Sequence, residues 1–293
     1  MPSPVALLTG ATLDAAFGDP PNAAHPVAWF GTAAAAVDRA VPRSRASGIV
    51  ATCGLVVGAV VAGALVERVA GRAAAAAVLW AAMSRRTLLR RATEVADALE
   101  ADDLDTARAL VARHLVSRDT STLDAAEVAG ATVESVAENL SDAVVAPWCW
   151  YVLGGSGGSA GYRALNTLDG MWGYRTPAYE AFGWAAARGD DIANLLPARL
   201  TALALILASG EDAGRASRAW WADRGLTDSP NAGHPMAAMA GALGVVLRKR
   251  GQYALGACGR EPGAADIRRA VFLADRASAI ALLATLLACW ARR

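Results

Sequence analysis

The sequence has little charge and almost no lysine. Charged residues make up 19% of the 293 residues, hydrophobic residues make up 55%, and the mean hydropathy is +0.30. Soluble domains usually carry about 25% charged residues, so this composition favours a membrane protein. Lys249 is the only lysine, so nearly all basic residues are arginine. Because alanine is also abundant, this preference indicates a bias in the coding sequence and not a chemical requirement. The formal net charge of +1 gives no reason to expect nucleic-acid binding, which needs a clustered basic surface.

Cysteine pairs, a signal peptide and strand patterns are missing as well. The four cysteines lie far apart and form no C-x-x-C pair, so neither a zinc site nor a disulfide framework is indicated. The N-terminus has no basic segment, and Asp14 interrupts its apolar run, which argues against a cleaved signal peptide. No internal repeat, heptad seam or β alternation of any length is present. The sequence therefore predicts an all-α fold.

Two apolar runs near the N-terminus predict a membrane hairpin. Residues 49–66 are just long enough to cross a bilayer, and a shorter run follows at 73–83 after a polar break at 67–72. Arginines flank both outer ends of the pair, which by the positive-inside rule places those ends in the cytoplasm. A last apolar run, 270–290, is also long enough to span. We therefore expect a polytopic integral membrane protein.

The segment 84–142 is predicted to form a largely cytoplasmic helical insertion. Residues 87–116 carry an amphipathic pattern, with an acidic turn at 100–105, and read as a pair of helices. Ser121 and Thr122 are candidate N-caps for a further helix that runs from Leu123 to about Ala146.

Three carboxylates share one face of that last helix. Glu134, Glu138 and Asp142 follow one another at four-residue spacing. Like charges at this spacing repel one another, so an exposed acidic face would gain no stability from the arrangement. A divalent cation, or an arginine from elsewhere in the chain, would resolve the repulsion, although a solvated acidic face remains an alternative.

A glycine-rich passage, 154–161, lies between this helix and the next polar segment. It lacks the G-x-x-x-x-G-K-[ST] form of a phosphate-binding loop, contains no lysine and does not follow a visible strand. The passage therefore predicts a helix break or close helix packing.

A second polar cluster follows the glycines. Asp190, Asp191 and Asn194 fit on one helical turn, and paired carboxylates with an amide nearby are suited to Mg²⁺. Arg163, Arg188 and Arg199 suit recognition of phosphate or carboxylate. Ion pairs among these same groups are the structural alternative.

Two turns complete the set of unusual polar segments. The turn 229–235 reads SPNAGHP and exposes Asn231 and His234, and near the N-terminus Asp19 and His25 flank a Pro-Pro turn. The N-terminal turn is interpreted as a simple capped loop, and the functional alternative is that Asp19 and His25 fold back toward the later polar cluster.

These segments together resemble the CobD/CbiB family. The resemblance is carried by SRDT at 117–120, VESVAENLSD at 133–142, YRALNTLD at 162–169, DDIAN at 190–194, PAR at 197–199 and the turn 229–235, together with the N-terminal GDP and HPV motifs. It extends over almost the whole chain, with several separate motifs in the same order. Gly170, Trp172, the pair Pro177-Ala178 and Gly189 depart from the family pattern, which affects the choice of groups that hold phosphate.

The resemblance implies a multi-pass membrane enzyme of cobalamin biosynthesis in the inner, or plasma, membrane of the cell. It implies a ligase that joins adenosylcobyric acid to (R)-1-amino-2-propanol or its O-phosphate through an amide bond, with ATP and Mg²⁺ as co-reactants. Neighbouring enzymes of the same pathway are candidate partners. We treat 1–293 as a single membrane domain, with 117–199 plus 229–235 as the active-site core.

The motifs and the chemistry assign roles to individual residues. Glu134, Glu138, Asp190 and Asp191 are candidate metal ligands. The candidate catalytic groups are these four residues together with Asp142 and His234. The candidate substrate-binding residues are His25, Arg118, Asp119, Arg163, Asn166, Asp169, Asn194, Arg199 and Asn231. His234 is the best single candidate for a base, but Asn231 and His234 could equally bind the corrinoid.

Two other classes of protein remain open. A membrane component for corrinoid transport or binding would explain polar groups within apolar segments, but not acidic clusters suited to metal and phosphate. A sensor resembling AmpE, a distant relative of the family, is disfavoured by the retained motifs at 190–194 and 231–234. If 143–158 and 195–208 both crossed the membrane, residues 162–194 would lie outside, away from ATP. We therefore expect these two segments to be re-entrant or packed within the protein.

Overall fold

The chain is mostly helical, as the sequence predicts. A computed structural model describes residues 2–174 and 176–292. These residues form twelve α-helices and one two-stranded antiparallel β-hairpin. The helices are α1 Pro4–Phe17, α2 Pro26–Ala40, α3 Arg45–Ala82, α4 Arg85–Glu100, α5 Leu104–His114, α6 Ala125–Leu140, α7 Ala146–Trp172, α8 Trp184–Ala193, α9 Leu195–Ala208, α10 Ala213–Asp223, α11 Gly233–Leu243 and α12 Ala264–Ala291, and the strands are β1 Leu247–Lys249 and β2 Tyr253–Leu255.

The described residues divide into two compact units, and both units are discontinuous in sequence. Unit 1 contains 2–84, 142–194 and 282–292, and unit 2 contains 85–141 and 195–281. The segment predicted as a helical insertion, 84–142, thus corresponds closely to the first half of unit 2. Its cytoplasmic location and the treatment of the chain as a single domain stay predictions.

Among the residues that the structure describes, two helices are long and apolar enough to cross a membrane. One candidate span lies within 45–100, which includes α3, and the other is α12. Helices α8 and α9 qualify as a third only as a pair interrupted at Asn194, a form that fits either a broken span or a re-entrant segment. The apolar runs at 49–66 and 270–290 are therefore confirmed as parts of long apolar helices.

Glycines allow α3 and α7 to pack closely in unit 1. A Cβ on Gly157 would lie 2.8 Å from the Val60 carbonyl oxygen, and one on Gly63 would lie 2.7 Å from the Ser156 carbonyl oxygen. A Cβ on Gly161 would lie 2.4 Å from Val60 Cγ2. Helix α7 is also broken at Gly155, where φ is +61°. The prediction of a helix break and close packing at 154–161 is confirmed.

The break in α7 is capped by a side chain from α3. Glu67 Oε2 accepts a hydrogen bond of 2.8 Å from the backbone N–H of Ser156, the residue that follows the break. A carboxylate at this position satisfies a backbone donor that has no partner within the helix. Helix α3 has a break of its own at Gly71, with φ +68°, inside the polar interval 67–72 expected between the two apolar runs.

The start of α6 in unit 2 differs from the prediction. The N-cap is Asp124, not Ser121 or Thr122, because Asp124 and Glu127 form a reciprocal capping box. The helix ends at Leu140 and is followed by a π-helical turn, Ser141–Val145, before α7 begins. The single helix expected from Leu123 to about Ala146 is thus divided at its C-terminal end.

Helix α11 is followed by a hairpin that the sequence did not predict. The helix ends at Gly244, whose φ of +70° is left-handed. Arg215 donates to the carbonyl oxygens of Gly241 and Ala242, and so satisfies acceptors at the helix end. Residues 247–255 then form the hairpin, which sequence reasoning missed because strands of three residues are too short to show an alternating pattern.

Candidate functional site

The predicted site residues fall into both units. Unit 1 holds His25, Asp142, Arg163, Asn166, Asp169, Asp190, Asp191 and Asn194, and unit 2 holds Arg118, Asp119, Glu134, Glu138, Arg199, Asn231 and His234.

In unit 1 a hydrogen-bonded set forms around Asp190, and we call Tyr162, Asn166, Asp190 and Asn194 the Asp190 cluster. The two Asp190 oxygens accept from the side-chain amides of Asn166, at 3.2 Å, and Asn194, at 3.0 Å. The Tyr162 hydroxyl donates to Asn194 Oδ1 at 2.9 Å. Tyr162 and Asn194 are buried, so this network fixes the orientation of the Asp190 carboxylate.

Cationic and aromatic groups border the Asp190 cluster. Arg163 Nη1 donates to Asn166 Oδ1 at 3.2 Å, while its Nε is buried without a hydrogen-bond partner. His25 lies within the electrostatic range of Arg163 and Asp19. Burial lowers the pKa of His25, the Arg163 charge lowers it further, and Asp19 partly offsets both effects. The N-terminal turn therefore lies near the cluster, which agrees with the functional alternative and not with a simple capped loop.

Three other acidic residues of unit 1 have different surroundings. Asp191, next to Asp190, forms an ion pair of 3.4 Å with the exposed side chain of Arg188. The Asp142 carbonyl oxygen accepts a hydrogen bond of 3.2 Å from the Tyr162 hydroxyl. The Asp169 carbonyl oxygen accepts from the N–H of Gly173, the residue that ends α7. Of the predicted carboxylates in unit 1, Asp190 is thus the one that accepts hydrogen bonds from the side-chain amides of both Asn166 and Asn194.

In unit 2 a second set of charged groups surrounds Glu134, and we call Arg118, Glu134, Glu138, Lys249 and Tyr253 the Glu134 cluster. Glu134 is 6% exposed. Its Oε2 lies 3.5 Å from Arg118 Nη2, and the charges of Glu138 and Lys249 act on it as well. The Tyr253 phenol faces the same carboxyl. Sequence reasoning did not identify Lys249 or Tyr253 as site residues. The one feature of the sequence that could have pointed to Lys249 is that it is the only lysine.

Burial controls the protonation of the Glu134 cluster. It raises the pKa of Glu134 to about 7, an effect that Arg118 and Lys249 oppose and Glu138 reinforces. The pKa of Tyr253 is also raised, by burial and by the two nearby carboxylates. A carboxyl that titrates near neutral pH can both accept and release a proton under working conditions.

The turn 229–235 in unit 2 is held in place by the hydroxyl groups of Ser229 and of Thr227, which precedes it. Ser229 Oγ accepts from the N–H groups of Asn231 and Ala232, and Thr227 Oγ1 accepts from the N–H of Gly233. A Cβ on Gly233 would lie 2.4 Å from the Arg224 carbonyl oxygen, so only glycine fits there.

This turn directs Asn231 and His234 to different partners. Arg199 Nη1 lies 3.4 Å from Asn231 Oδ1. His234 Nδ1 accepts a hydrogen bond of 3.0 Å from the Trp220 indole N–H. Burial lowers the pKa of His234 to about 4, with further lowering by Arg199 and Arg224. At neutral pH the imidazole is therefore uncharged with its proton on Nε2, which favours a role as hydrogen-bond donor over a role as base.

Asp119 has a local role in the loop before α6. Its Oδ1 accepts from the Ser121 N–H at 2.9 Å, and this bond lowers the pKa of the exposed carboxyl. The contact is a turn within three residues of chain, of the kind that Asp commonly forms.

The candidate metal ligands do not form a complete cage. Within 2–174 and 176–292 no group of three or more His, Cys, Asp and Glu side chains is arranged to hold a metal ion. Mg²⁺ is usually bound by one or two carboxylates together with substrate phosphates. The pair Glu134 and Glu138, and the pair Asp190 and Asp191, fit that donor set.

Comparison with known proteins identifies the family. The family model described as "CobD/Cbib protein" matches residues 7–283. The chain belongs to the CobD/CbiB family.

Curated relatives match the family assignment over nearly the full chain. A protein of Mycobacterium tuberculosis called "Cobalamin biosynthesis protein CobD" is 43% identical, over 99% of this chain and 96% of its own length. Proteins with the same name from Chromobacterium violaceum and Klebsiella pneumoniae are 44% and 37% identical, over 93% and 92% of this chain and 91% and 92% of their own lengths. No solved structure matches the chain.

Proposed function

We propose that the protein is a ligase of cobalamin biosynthesis that joins adenosylcobyric acid to (R)-1-amino-2-propanol or its O-phosphate in an ATP-dependent reaction. The product is adenosylcobinamide or its phosphate. The family match over residues 7–283 carries this proposal, supported by relatives of nearly equal length named as cobalamin biosynthesis proteins.

The chemistry requires activation of a carboxylate, because carboxylate oxygen is a poor leaving group. Attack of the corrinoid propionate on the γ-phosphorus of ATP forms an acyl phosphate and releases ADP. The amine then attacks the acyl carbon, the C–O bond breaks with release of phosphate, and a base removes the proton from the nitrogen. Such a reaction needs cations around the phosphates and a group that accepts a proton.

Side chains in both units are suited to these tasks. Arg163, whose buried Nε has no hydrogen-bond partner, and Arg199 supply guanidinium groups for phosphate or propionate oxygens. Glu134, with a pKa near 7, is suited to accept the ammonium proton. Asp190 is fixed by Asn166 and Asn194 and is suited to orient a substrate or a metal-bound phosphate. His234 donates through Nε2 to the corrinoid.

Mg²⁺ would be held by the carboxylate pairs Glu134 and Glu138 or Asp190 and Asp191, shared with the phosphates of ATP. Its chemical contribution is to neutralise phosphate charge during transfer.

We place the protein in the cell membrane as a multi-pass protein whose reaction takes place on the cytoplasmic side. The candidate spans in 45–100 and 264–291 support membrane insertion. ATP is available on the cytoplasmic side, and the arginines that flank the first apolar pair favour the same orientation.

The proposal is tested with protein purified in detergent. Adenosylcobyric acid, Mg·ATP and aminopropanol O-phosphate or free aminopropanol are added, and corrinoid products are followed by mass. We expect the amide to form and to disappear when ATP or Mg²⁺ is omitted. Corrinoid binding without amide formation from either amine would instead favour the transport or binding role.

A further inference from the structure

The β-hairpin brings two side chains against α6 that the proposed reaction has not yet used. Lys249 and Tyr253 are directly opposite each other in the antiparallel pair. Side chains of directly opposite residues lie on the same face of a hairpin. Since Tyr253 faces the Glu134 carboxyl, and the charge of Lys249 acts on that carboxyl as well, this face is the one turned toward α6.

Two polar atoms of the Glu134 cluster have no hydrogen-bond partner within the described part of unit 2. Glu134 Oε1 and Arg118 Nε are both buried and make no hydrogen bond. Glu134 itself is 6% exposed.

A cavity of about 580 Å³ borders the hairpin and the start of α6, and both Lys249 and Tyr253 line it. The other two cations of the lining are already neutralised, because Arg250 forms an ion pair with Glu127 and Arg248 forms one with Glu261. Lys249 is half-buried and forms no ion pair among the described residues. It is therefore the cation available to a ligand in this cavity.

We propose that Lys249 binds a phosphate group of a substrate in this cavity. Arg118 and Glu134 do not line the cavity; they adjoin it through Tyr253, which lines it and faces the Glu134 carboxyl. Phosphate oxygens accept charge-assisted hydrogen bonds from the Lys249 ammonium group, which forms no ion pair among the described residues. The proposed function supplies two sources of phosphate, Mg·ATP and the phosphorylated amino alcohol, and the inference rests on the proposed function for this choice.

The single lysine gives a direct binding assay. An acetylating N-hydroxysuccinimide ester modifies Lys249 and the α-amino group, and the rate at each is read by peptide mass spectrometry, with the α-amino group as internal reference. The probes are Mg·ATP, isopropyl phosphate, which contains no amine to consume the reagent, and isopropanol, which lacks the phosphate.

We expect one phosphate compound to slow acetylation of Lys249 about tenfold at ten times its Kd, since labelling follows the unliganded fraction. Isopropanol should have no effect. Protection by isopropyl phosphate assigns the site to the amino alcohol phosphate, and protection by Mg·ATP alone assigns it to the nucleotide. Equal rates with all three compounds would overturn the proposal.

Variants provide a second readout in the amide-forming assay. Lys249→Met should raise KM for the phosphate compound identified by labelling about 10- to 100-fold, the equivalent of a lost charge-assisted hydrogen bond, with little change in kcat. Lys249→Arg should restore most of the affinity, which a merely structural role of the residue would not predict. Arg90→Met is the matched control, because Arg90 is exposed, forms an ion pair with Glu94 and does not line the cavity, and its KM should equal that of the wild type.

The two proposals can fail separately. Protection of Lys249 in a protein that forms no amide would contradict the ligase and support the phosphate site. Amide formation with unchanged KM in Lys249→Met and no protection of Lys249 would support the ligase and contradict the phosphate site.

Discussion

At the residue scale, the adjacent carboxylates Asp190 and Asp191 have different environments. Asp190 accepts hydrogen bonds from Asn166 and Asn194, whereas Asp191 pairs with the exposed Arg188. Sequence spacing placed both on one turn of helix but could not distinguish them, because the direction of each side chain depends on which partners the fold supplies.

We predict that Asp190→Asn reduces the rate of amide formation about 100-fold or more, the usual cost of removing a charged group that acts on the transition state. Asp191→Asn should reduce the rate less, because Asp191 lies outside the Asp190 cluster. Both rates are measured with purified protein whose membrane insertion and thermal unfolding match those of the wild type. Full activity of Asp190→Asn together with an inactive Asp191→Asn would reverse the assignment.

His234 gives a prediction about pH and stability. Its pKa is about 4 in the folded protein and about 6.5 in an unfolded chain. The unfolded state therefore binds more protons between these values, and stability is lost as the pH falls from above 6.5 toward 4. The loss amounts to about 2 kcal/mol between about pH 7.5 and pH 5.

The measurement compares thermal unfolding of the wild type with that of His234→Gln, which cannot ionise. The stability advantage of the wild type should shrink as the pH falls across this range. A difference that stays constant with pH would show that the folded His234 does not have a depressed pKa.

The spacing of Glu134 and Glu138 on one helix face was readable from the sequence, but their partners were not. Arg118 comes from a loop and Tyr253 from a hairpin far along the chain. Such contacts depend on tertiary structure and leave no periodic signal. Nor could spacing show that Glu134 is buried while Glu138 is exposed.

At the element scale, the helices were predicted better than their ends. Helical segments follow from apolar periodicity, which extends over many residues. Their ends depend on single side chains, such as Asp124 at the start of α6, or on a distant cap such as Arg215 at the end of α11. The nearby Ser121 and Thr122 have equally suitable side chains, and only the fold decides between them and Asp124.

The contact between α3 and α7 leads to a prediction about stability. Gly157→Ala places a methyl group 2.8 Å from the Val60 carbonyl oxygen, and we expect it to destabilise the protein by about 1 to 3 kcal/mol. Gly170→Ala on the same helix is the control, because a Cβ there meets nothing within 4 Å. It should be neutral or stabilising by up to about 1 kcal/mol. Thermal unfolding in detergent measures both, and equal midpoints would contradict close packing at Gly157.

At the scale of the whole molecule, hydropathy identified the longest apolar helices but not the arrangement of the polar segments. Helices α8 and α9 qualify as a span only when taken together, and length and composition do not decide whether they cross the membrane. Because the proposed reaction uses cytoplasmic ATP, we expect residues 162–194 to lie on the cytoplasmic side of the membrane.

Cysteine labelling in intact cells tests the topology. Thr176→Cys is introduced into a variant in which the exposed Cys53 and Cys258 are replaced by serine. We expect an impermeant maleimide to leave residue 176 unlabelled in intact cells and to label it in inverted vesicles, since the proposed reaction uses cytoplasmic ATP. Ready labelling from outside would place this loop on the wrong side for the proposed ligase.

The interleaved composition of the two units has a consequence for synthesis of the chain. Unit 1 includes residues 2–84 at the beginning and 282–292 at the end. A ribosome therefore completes unit 2 before the final segment of unit 1 has left the exit tunnel. Residues 2–84 of unit 1 emerge first. They must remain without residues 282–292 of the same unit while the 197 residues between 84 and 282 are added. Neither unit can be expressed as one continuous fragment. Removal of the last helical turns of α12 would affect unit 1, the unit that also contains residues 2–84.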